Sequence, residues 1–131
     1  MRLLLDTHIW LWYAAGDTRL RPPIRRLLQG GEQEVWFSAV SVWEITLLAE
    51  RRRAGLKPNL RSWLPSGLAQ AGVREAPMTA EIALVAAELP WAHQDPADRL
   101  LAATAQVMGL VLVTADRRLL GAPGLAVLAN A

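Results

Sequence analysis

Four carboxylates carry the chemical interest of this sequence: Asp6, Glu44, Asp98 and Asp116. They come from distant parts of the chain, and each stands near the junction between an apolar segment and the next element. Acids brought within a few ångströms of one another repel and raise each other's pKa, so such a cluster persists only where something offsets the charge. A hard divalent cation does so, and Mg²⁺ and Mn²⁺ prefer oxygen ligands. There is no cysteine, and His8 and His93 are too few and too far apart in the pattern to make a zinc set. The chemistry a carboxylate cluster supports is phosphodiester cleavage, because two ions about 3.5–4 Å apart activate a water and stabilise the leaving oxygen.

Each acid also has an ordinary structural role when taken alone. Asp6 suits the cap of a first helix, and Asp116 the cap of a short one near the end. Ser41-x-x-Glu44 has the form of a capping box. Asp95, Pro96 and Asp98 suit the cap, first turn and third position of a helix, where negative charge also favours the dipole. A cap is worth about 1 kcal/mol. Spatial convergence separates the two readings, and convergence depends on the elements that carry the acids.

The pattern predicts those elements. Residues 2–5 form a short buried strand ending at Asp6, and 7–16 a helix closed by Gly16. Pro22 and Pro23 open a second helix, stopped by Gly30 and Gly31. Residues 34–38 read as a strand, and 41–55 as a long amphipathic helix with a basic end and a glycine stop. A helical stretch interrupted near Pro65 spans 59–72, followed by a short strand over 73–76. A helix over 79–89 takes Thr79 as its cap and ends at Pro90. Residues 96–109 form a helix, 110–114 a buried strand, 116–120 a turn of helix and 125–128 a last strand. Strands alternating with helices predict an α/β fold, with a central, mostly parallel sheet of four to five strands flanked by helices.

In an open parallel sheet, ligands bind outside the carboxyl ends of the strands. Asp6 follows the first strand directly, and Asp116 follows the strand 110–114 after one alanine. Glu44 sits within one or two turns of the start of the helix that leaves 34–38. Asp98 opens the helix that feeds 110–114. A helix of about 11 residues falls ~16 Å and a strand of about five climbs back ~16 Å, which returns Asp98 to the edge that holds Asp116. All four acids are therefore expected at one edge of one sheet.

The 131 residues suit a single domain spanning 1–131. With 53% hydrophobic and 20% charged residues the chain is a folding type and not a disordered one. No apolar run approaches the ~20 residues of a membrane span, and "MRLLLD" is too short for the apolar region of a signal peptide. Together with the absence of cysteine, this gives the expectation of a cytoplasmic protein with no membrane partner. The net charge is only +2, but setting four acids aside in one site leaves a clearly basic remainder. Lys57 is the only lysine; the other bases are arginines, whose planar fork suits phosphate, although an arginine preference of the source organism accounts for them equally. The run Arg51–Arg53 reads as a solvated helix end.

The segments "LLLDTHIWLW", "SAVSVWEI", "MTAEIALVAAELP", "HQDPADRLLAATA" and "LVTADRRL" resemble the PIN domain, and within it the VapC toxins of prokaryotic toxin–antitoxin pairs. The resemblance covers almost the whole chain in order and spacing. It implies an Mg²⁺- or Mn²⁺-dependent endoribonuclease that cleaves RNA, is neutralised by a cognate antitoxin and forms a homodimer. The family's acidic site then falls on Asp6, Glu44, Asp98 and Asp116, both as catalytic residues and as metal ligands, with Asp95 as the cap. Three departures stand out: Ala97 where the family often has phenylalanine, His93 as the one histidine before the motif, and Leu47 where a lysine often follows the glutamate.

Four further residues enter as possible supports. Thr7 and Thr114, beside two of the acids, either orient ligands or serve core and cap. Arg99 and Arg117 either bind backbone phosphates or form surface ion pairs. Trp10, Trp12 and Trp43 offer apolar faces to the core, to a second copy or to an antitoxin. Two rival classes stand against this reading, and the second is rejected. One is a metal-free PIN-fold module that binds protein or RNA without cleaving it, against which the four intact acids argue. The other is a phosphatase of the haloacid dehalogenase type, which wants Asp-x-Asp after the first strand and meets Asp6-Thr7-His8 here instead.

Overall fold

Side-chain alternation along the central strands builds a core on each face of one sheet. The computed structural model describes residues 1–52, 61 and 72–131. Among these, strands β1 (Arg2–Leu5), β2 (Glu34–Ser38), β3 (Arg74–Ala76), β4 (Val111–Thr114) and β5 (Val127–Ala129) form one sheet in the order β3-β2-β1-β4-β5. Every neighbouring pair is parallel. The described helices are α1 (Thr7–Ala15), α2 (Pro22–Gln29), α3 (Ala39–Arg52), α4 (Ala80–Glu88), α5 (Pro96–Met108) and α6 (Arg117–Leu120).

Leu3, Leu5, Val35, Phe37 and Val113 point to one face and pack with Ile9 and Trp10 of α1 and with Ile24 and Leu28 of α2. Leu4 and Leu112 point to the other face and pack with Leu101, Ala102 and Ala105 of α5. Helix α4 lies outside α5, joined to it through Ile82, Ala86 and Ala103. Leu3, Leu4 and Leu5 are all fully buried, as a strand covered on both faces requires.

The register sets the level of the site. Leu5 pairs with Phe37 on one side and Val113 on the other, so the next residues of the three strands, Asp6, Ser38 and Thr114, reach the same carboxyl edge together. The chain runs from β1 outward to β2 and β3, then returns to β4 and β5 on the other side. The order therefore reverses between β1 and β4, where an open parallel sheet has its crevice.

The expected elements match closely, with shifts at their ends. Helix α3 starts at Ala39, two residues early, because Ser38 Oγ accepts from the Val40 N–H at 3.0 Å. Ser41 is therefore inside the helix, and the expected Ser41–Glu44 capping box does not form. The last strand is β5 at Val127–Ala129 and not 125–128. Asp95, Thr79 and Asp116 cap α5, α4 and α6 as expected, accepting from Asp98, Ile82 and Arg118 N–H groups. The helical stretch over 59–72, the end of the basic run at Arg53, the Gly55 stop and Lys57 lie outside the described residues, apart from Arg61 and Gly72. No described helix is long and apolar enough to cross a membrane.

Candidate active site

The crevice between β1 and β4 is a cleft of about 440 Å³ lined by Asp6, Glu44, Asp95, Asp98 and Asp116, together with His8, Trp12, Arg19, Ala115 and Arg118. The four acids singled out from the sequence thus meet at one place. Each arrives by a different route. Asp6 leaves the end of β1 and caps α1, accepting from the Thr7 N–H at 2.8 Å. Glu44 comes from the second turn of α3. Asp98 stands in the first turn of α5, behind its cap Asp95, whose Oδ1 accepts from the Asp98 N–H at 3.1 Å. Asp116 follows β4 and caps α6.

Hydroxyls from the buried edge fix two of the carboxylates. Thr114, fully buried at the end of β4, donates its hydroxyl to Asp6 Oδ2 at 2.6 Å and accepts from the Asp116 N–H at 3.0 Å. One hydroxyl therefore ties the acids of β1 and β4 together. Thr7 donates its hydroxyl to Glu44 Oε1 and lies 2.7 Å from the buried Ser41 Oγ. With the Thr7 proton directed at an ionised Glu44, Ser41 must be the donor to Thr7. Both threonines hydrogen-bond acids of the cleft directly.

Asp98 has a different support. His93 Nε2 lies 2.7 Å from Asp98 Oδ2, a contact that places the ring proton on Nε2 when the acid is ionised. The segment carrying His93 is held in turn by Arg99. Its guanidinium donates to the carbonyls of Ala86, Leu89, Trp91 and His93, at 3.1, 2.7, 3.4 and 3.1 Å. Arg99 therefore has its guanidinium engaged by backbone carbonyls, a role different from the two expected for it. Arg117 is exposed and does not line the cleft. The arginine at the acids is Arg118, 3.0 Å from Asp116 Oδ2 and 3.7 Å from Asp98 Oδ2. The signal for it was in the sequence: an aspartate cap accepts from the N–H two residues on, which sets that residue over the carboxylate.

Electrostatics divide the acids. Burial pushes the Asp6 carboxyl above the usual range, against the Thr114 hydrogen bond, and the nearby Asp98 charge pushes the same way. Burial likewise raises Glu44, opposed by Thr7 and reinforced by Asp6 and Asp98. Asp98 is raised by burial, opposed by His93 and reinforced by Asp95 and Asp116. Asp116 goes the other way, held below the usual range by the Arg118 hydrogen bond. Among the described residues, no three His, Asp or Glu side chains converge tightly enough as they stand to hold one ion. Each acid leans on its own partner: Asp6 on Thr114, Glu44 on Thr7, Asp98 on His93 and Asp116 on Arg118.

The PIN domain family model matches residues 3–125. The chain is 39% identical over 118 residues to Ribonuclease VapC22 of Mycobacterium tuberculosis (strain ATCC 25618 / H37Rv), covering 89% of this chain and 88% of that protein. Its fold matches a chain in the crystal structure of VapBC2 from Rickettsia felis bound to a DNA fragment from their promoter, with TM-score 0.74 at 18% identity and 98% of each chain covered. It also matches a toxin–antitoxin complex from Klebsiella pneumoniae, with TM-score 0.65 at 20% identity and 98% of each chain covered.

Proposed function

We propose that this chain, which belongs to the PIN-domain family, is an Mg²⁺- or Mn²⁺-dependent endoribonuclease of the VapC toxin type. The observation that carries the reading is the arrival of Asp6, Glu44, Asp98 and Asp116, from four separate elements, in one cleft at the sheet's crevice. The mycobacterial relative's name supports ribonuclease chemistry. The Klebsiella complex supports an antitoxin partner that neutralises it.

By its chemistry the donor set suits a hard divalent cation, although no three of the described acids and histidines stand close enough as they are to hold one. The set consists of carboxylate oxygens, three of the four acids have raised pKa values from burial and mutual repulsion, and a cation would relieve both. Asp6, Glu44, Asp98 and Asp116 would hold it. Bound there, it would supply activation of a water and neutralisation of charge on the leaving oxygen. The chain's own groups set the stage. Thr114, Thr7 and His93 orient three of the carboxylates, and Arg118 offers a guanidinium to a backbone phosphate. The reaction is hydrolysis: a water oxygen bonds to phosphorus, the P–O3′ bond breaks, and a proton ends on the 3′ oxygen. The products carry a 5′ phosphate and a 3′ hydroxyl.

A homodimer belongs to the same reading. Trp43 is 54% exposed and lines a groove with Leu47, Leu48, Pro96 and Ala97, bordered by Glu44 and Asp95, a surface suited to a second copy or to the antitoxin.

The test is cleavage of mixed cellular RNA by the purified protein with Mn²⁺, with EDTA and as Asp98→Asn. Cleavage that needs the metal and disappears in the variant is expected. Cleavage that persists in Asp98→Asn would return Asp98 to the ordinary role of a first-turn acid. A folded, antitoxin-free protein that neither cleaves nor binds Mn²⁺ would favour the metal-free binding module.

A further inference from the structure

A cleft with five carboxylates must still hold a polyanion, so its other lining residues have to supply the attraction. Those residues are His8, Trp12, Arg19, Ala115 and Arg118. Three of them stand together along one side of the cleft. His8 and Trp12 stand one turn apart on the same side of α1, with ring centroids 6.0 Å apart and planes inclined at 47°. The Arg19 guanidinium lies 5.2 Å from the centre of the Trp12 ring. Asp17 holds that guanidinium in place with a fork of bonds at 2.7–3.2 Å, and is itself pushed down to about 2 by the pairing.

The neighbouring tryptophan shows what a purely structural ring looks like here. Trp10 is 2% exposed and stacks on Phe37 at 4.5 Å, wholly inside the core. Trp12 is only half-buried, His8 and Arg19 are exposed, and all three line the acidic cleft. A mixed wall of aromatic rings and a planar cation is what single-stranded nucleic acids use for base stacking, since every base has a π-face. It attracts the base, which carries no charge, where the carboxylates repel the phosphates.

We infer that His8, Trp12 and Arg19 form a stacking platform for an unpaired base next to the phosphate being cut. This rests on the ribonuclease reading above. It gives α1 a second task besides carrying Asp6: the helix presents the acid and the base platform from consecutive turns, which fixes the distance between the base and the reacting phosphate.

The experiment measures binding of a fluorescent 12-nucleotide single-stranded RNA of mixed sequence, and of an abasic ribose-phosphate strand of the same length. Both are titrated by fluorescence anisotropy in an Asp98→Asn background that does not cut, with Trp12 native, Trp12→Phe or Trp12→Ala. Trp12→Ala is expected to weaken RNA binding by about 5- to 140-fold. Trp12→Phe should keep most of the affinity, and the abasic strand should bind all three proteins alike. Mn²⁺ titration of the Trp12 variants with native Asp98, followed by calorimetry, shows that the acidic cleft is intact. Equal RNA affinity in Trp12→Ala, or an equal loss on the abasic strand, would overturn the platform. So would an RNA affinity too weak to measure with Trp12 native. If Trp12→Ala instead changed only the oligomeric state, the wall would be a protein interface. Failure of the nuclease reading is read separately, from metal-dependent cleavage by the protein with native Asp98.

Discussion

The tripeptide Ala-Asp-Arg occurs twice at a helix start, at 97–99 and at 115–117, and the two copies behave differently. In the first, Asp95 is the cap, so the tripeptide lies inside the first turns of α5. Ala97 and Asp98 are buried, and Arg99 turns inward onto four carbonyls. In the second, the aspartate is itself the cap of α6. Ala115 and Arg117 are exposed, and it is the following Arg118 that reaches back to the acids. Burial raises the pKa of Asp98, while pairing lowers that of Asp116. The lesson is that the frame relative to the cap, and not the residues themselves, sets what an acid and its arginine do.

The largest way to sharpen that contrast is through activity. Asp98→Asn should lower kcat by about 10²–10³-fold or more, the usual scale for removing one charge-stabilising group from a reacting centre. Asp116→Asn, at the half-buried, arginine-paired member of the set, should cost distinctly less in the same RNA cleavage assay. Equal losses would erase the distinction between a buried and a paired acid.

Next in size is the role of Arg99. Arg99→Gln strands several partly buried carbonyls at once and should destabilise the fold by about 2–4 kcal/mol. Arg117→Gln, at the equivalent place in the second tripeptide, should leave thermal unfolding nearly unchanged. A Tm for Arg99→Gln close to that of the native protein would dissolve the clamp.

A smaller effect concerns pH in the absence of metal. The folded protein raises the carboxyls of Asp6, Glu44 and Asp98, so it binds more protons than the unfolded chain above about pH 4. Their contribution to stability is greatest below the ordinary carboxylate range and is lost as pH rises through the raised values. Glu44→Gln should flatten the fall in Tm between pH 4 and 7, and should also weaken the rise in Tm that Mn²⁺ gives at pH 7. Asp116 runs in reverse: its stabilising pairing is present above the ordinary range and is lost as pH falls through its lowered value. A Tm that climbs from pH 4 to 7 without metal would contradict the strain assigned to the buried acids.

The smallest change expected is from Arg118→Gln. It removes an exposed counter-charge from Asp116 and Asp98, so Mn²⁺ affinity should rise by about two- to fivefold in calorimetry. A drop in Mn²⁺ affinity would mean that Arg118 supports the cation site instead of competing for it.

The sequence by itself determined the alternation of strands and helices, the caps at Asp6, Thr79, Asp95 and Asp116, and the edge to which the four acids return. These follow from periodicity, cap chemistry and the fixed rise per residue, all local quantities. It did not determine the partners. The capping box at Ser41–Glu44 was a reasonable local pattern, but Ser38 started α3 two residues early and left Ser41 and Glu44 to Thr7, from another helix. Arg99 and Arg117 looked equivalent beside their aspartates, yet only the packing of 86–93 against α5 turned one of them inward. Trp10 and Trp12 are two residues apart on one helix, and only the sheet beneath decided which ring is core and which faces the cleft. A side chain's partner is fixed by distances of a few ångströms between remote segments, and those distances exist only once the register of β1 with β2 and β4 has closed the sheet.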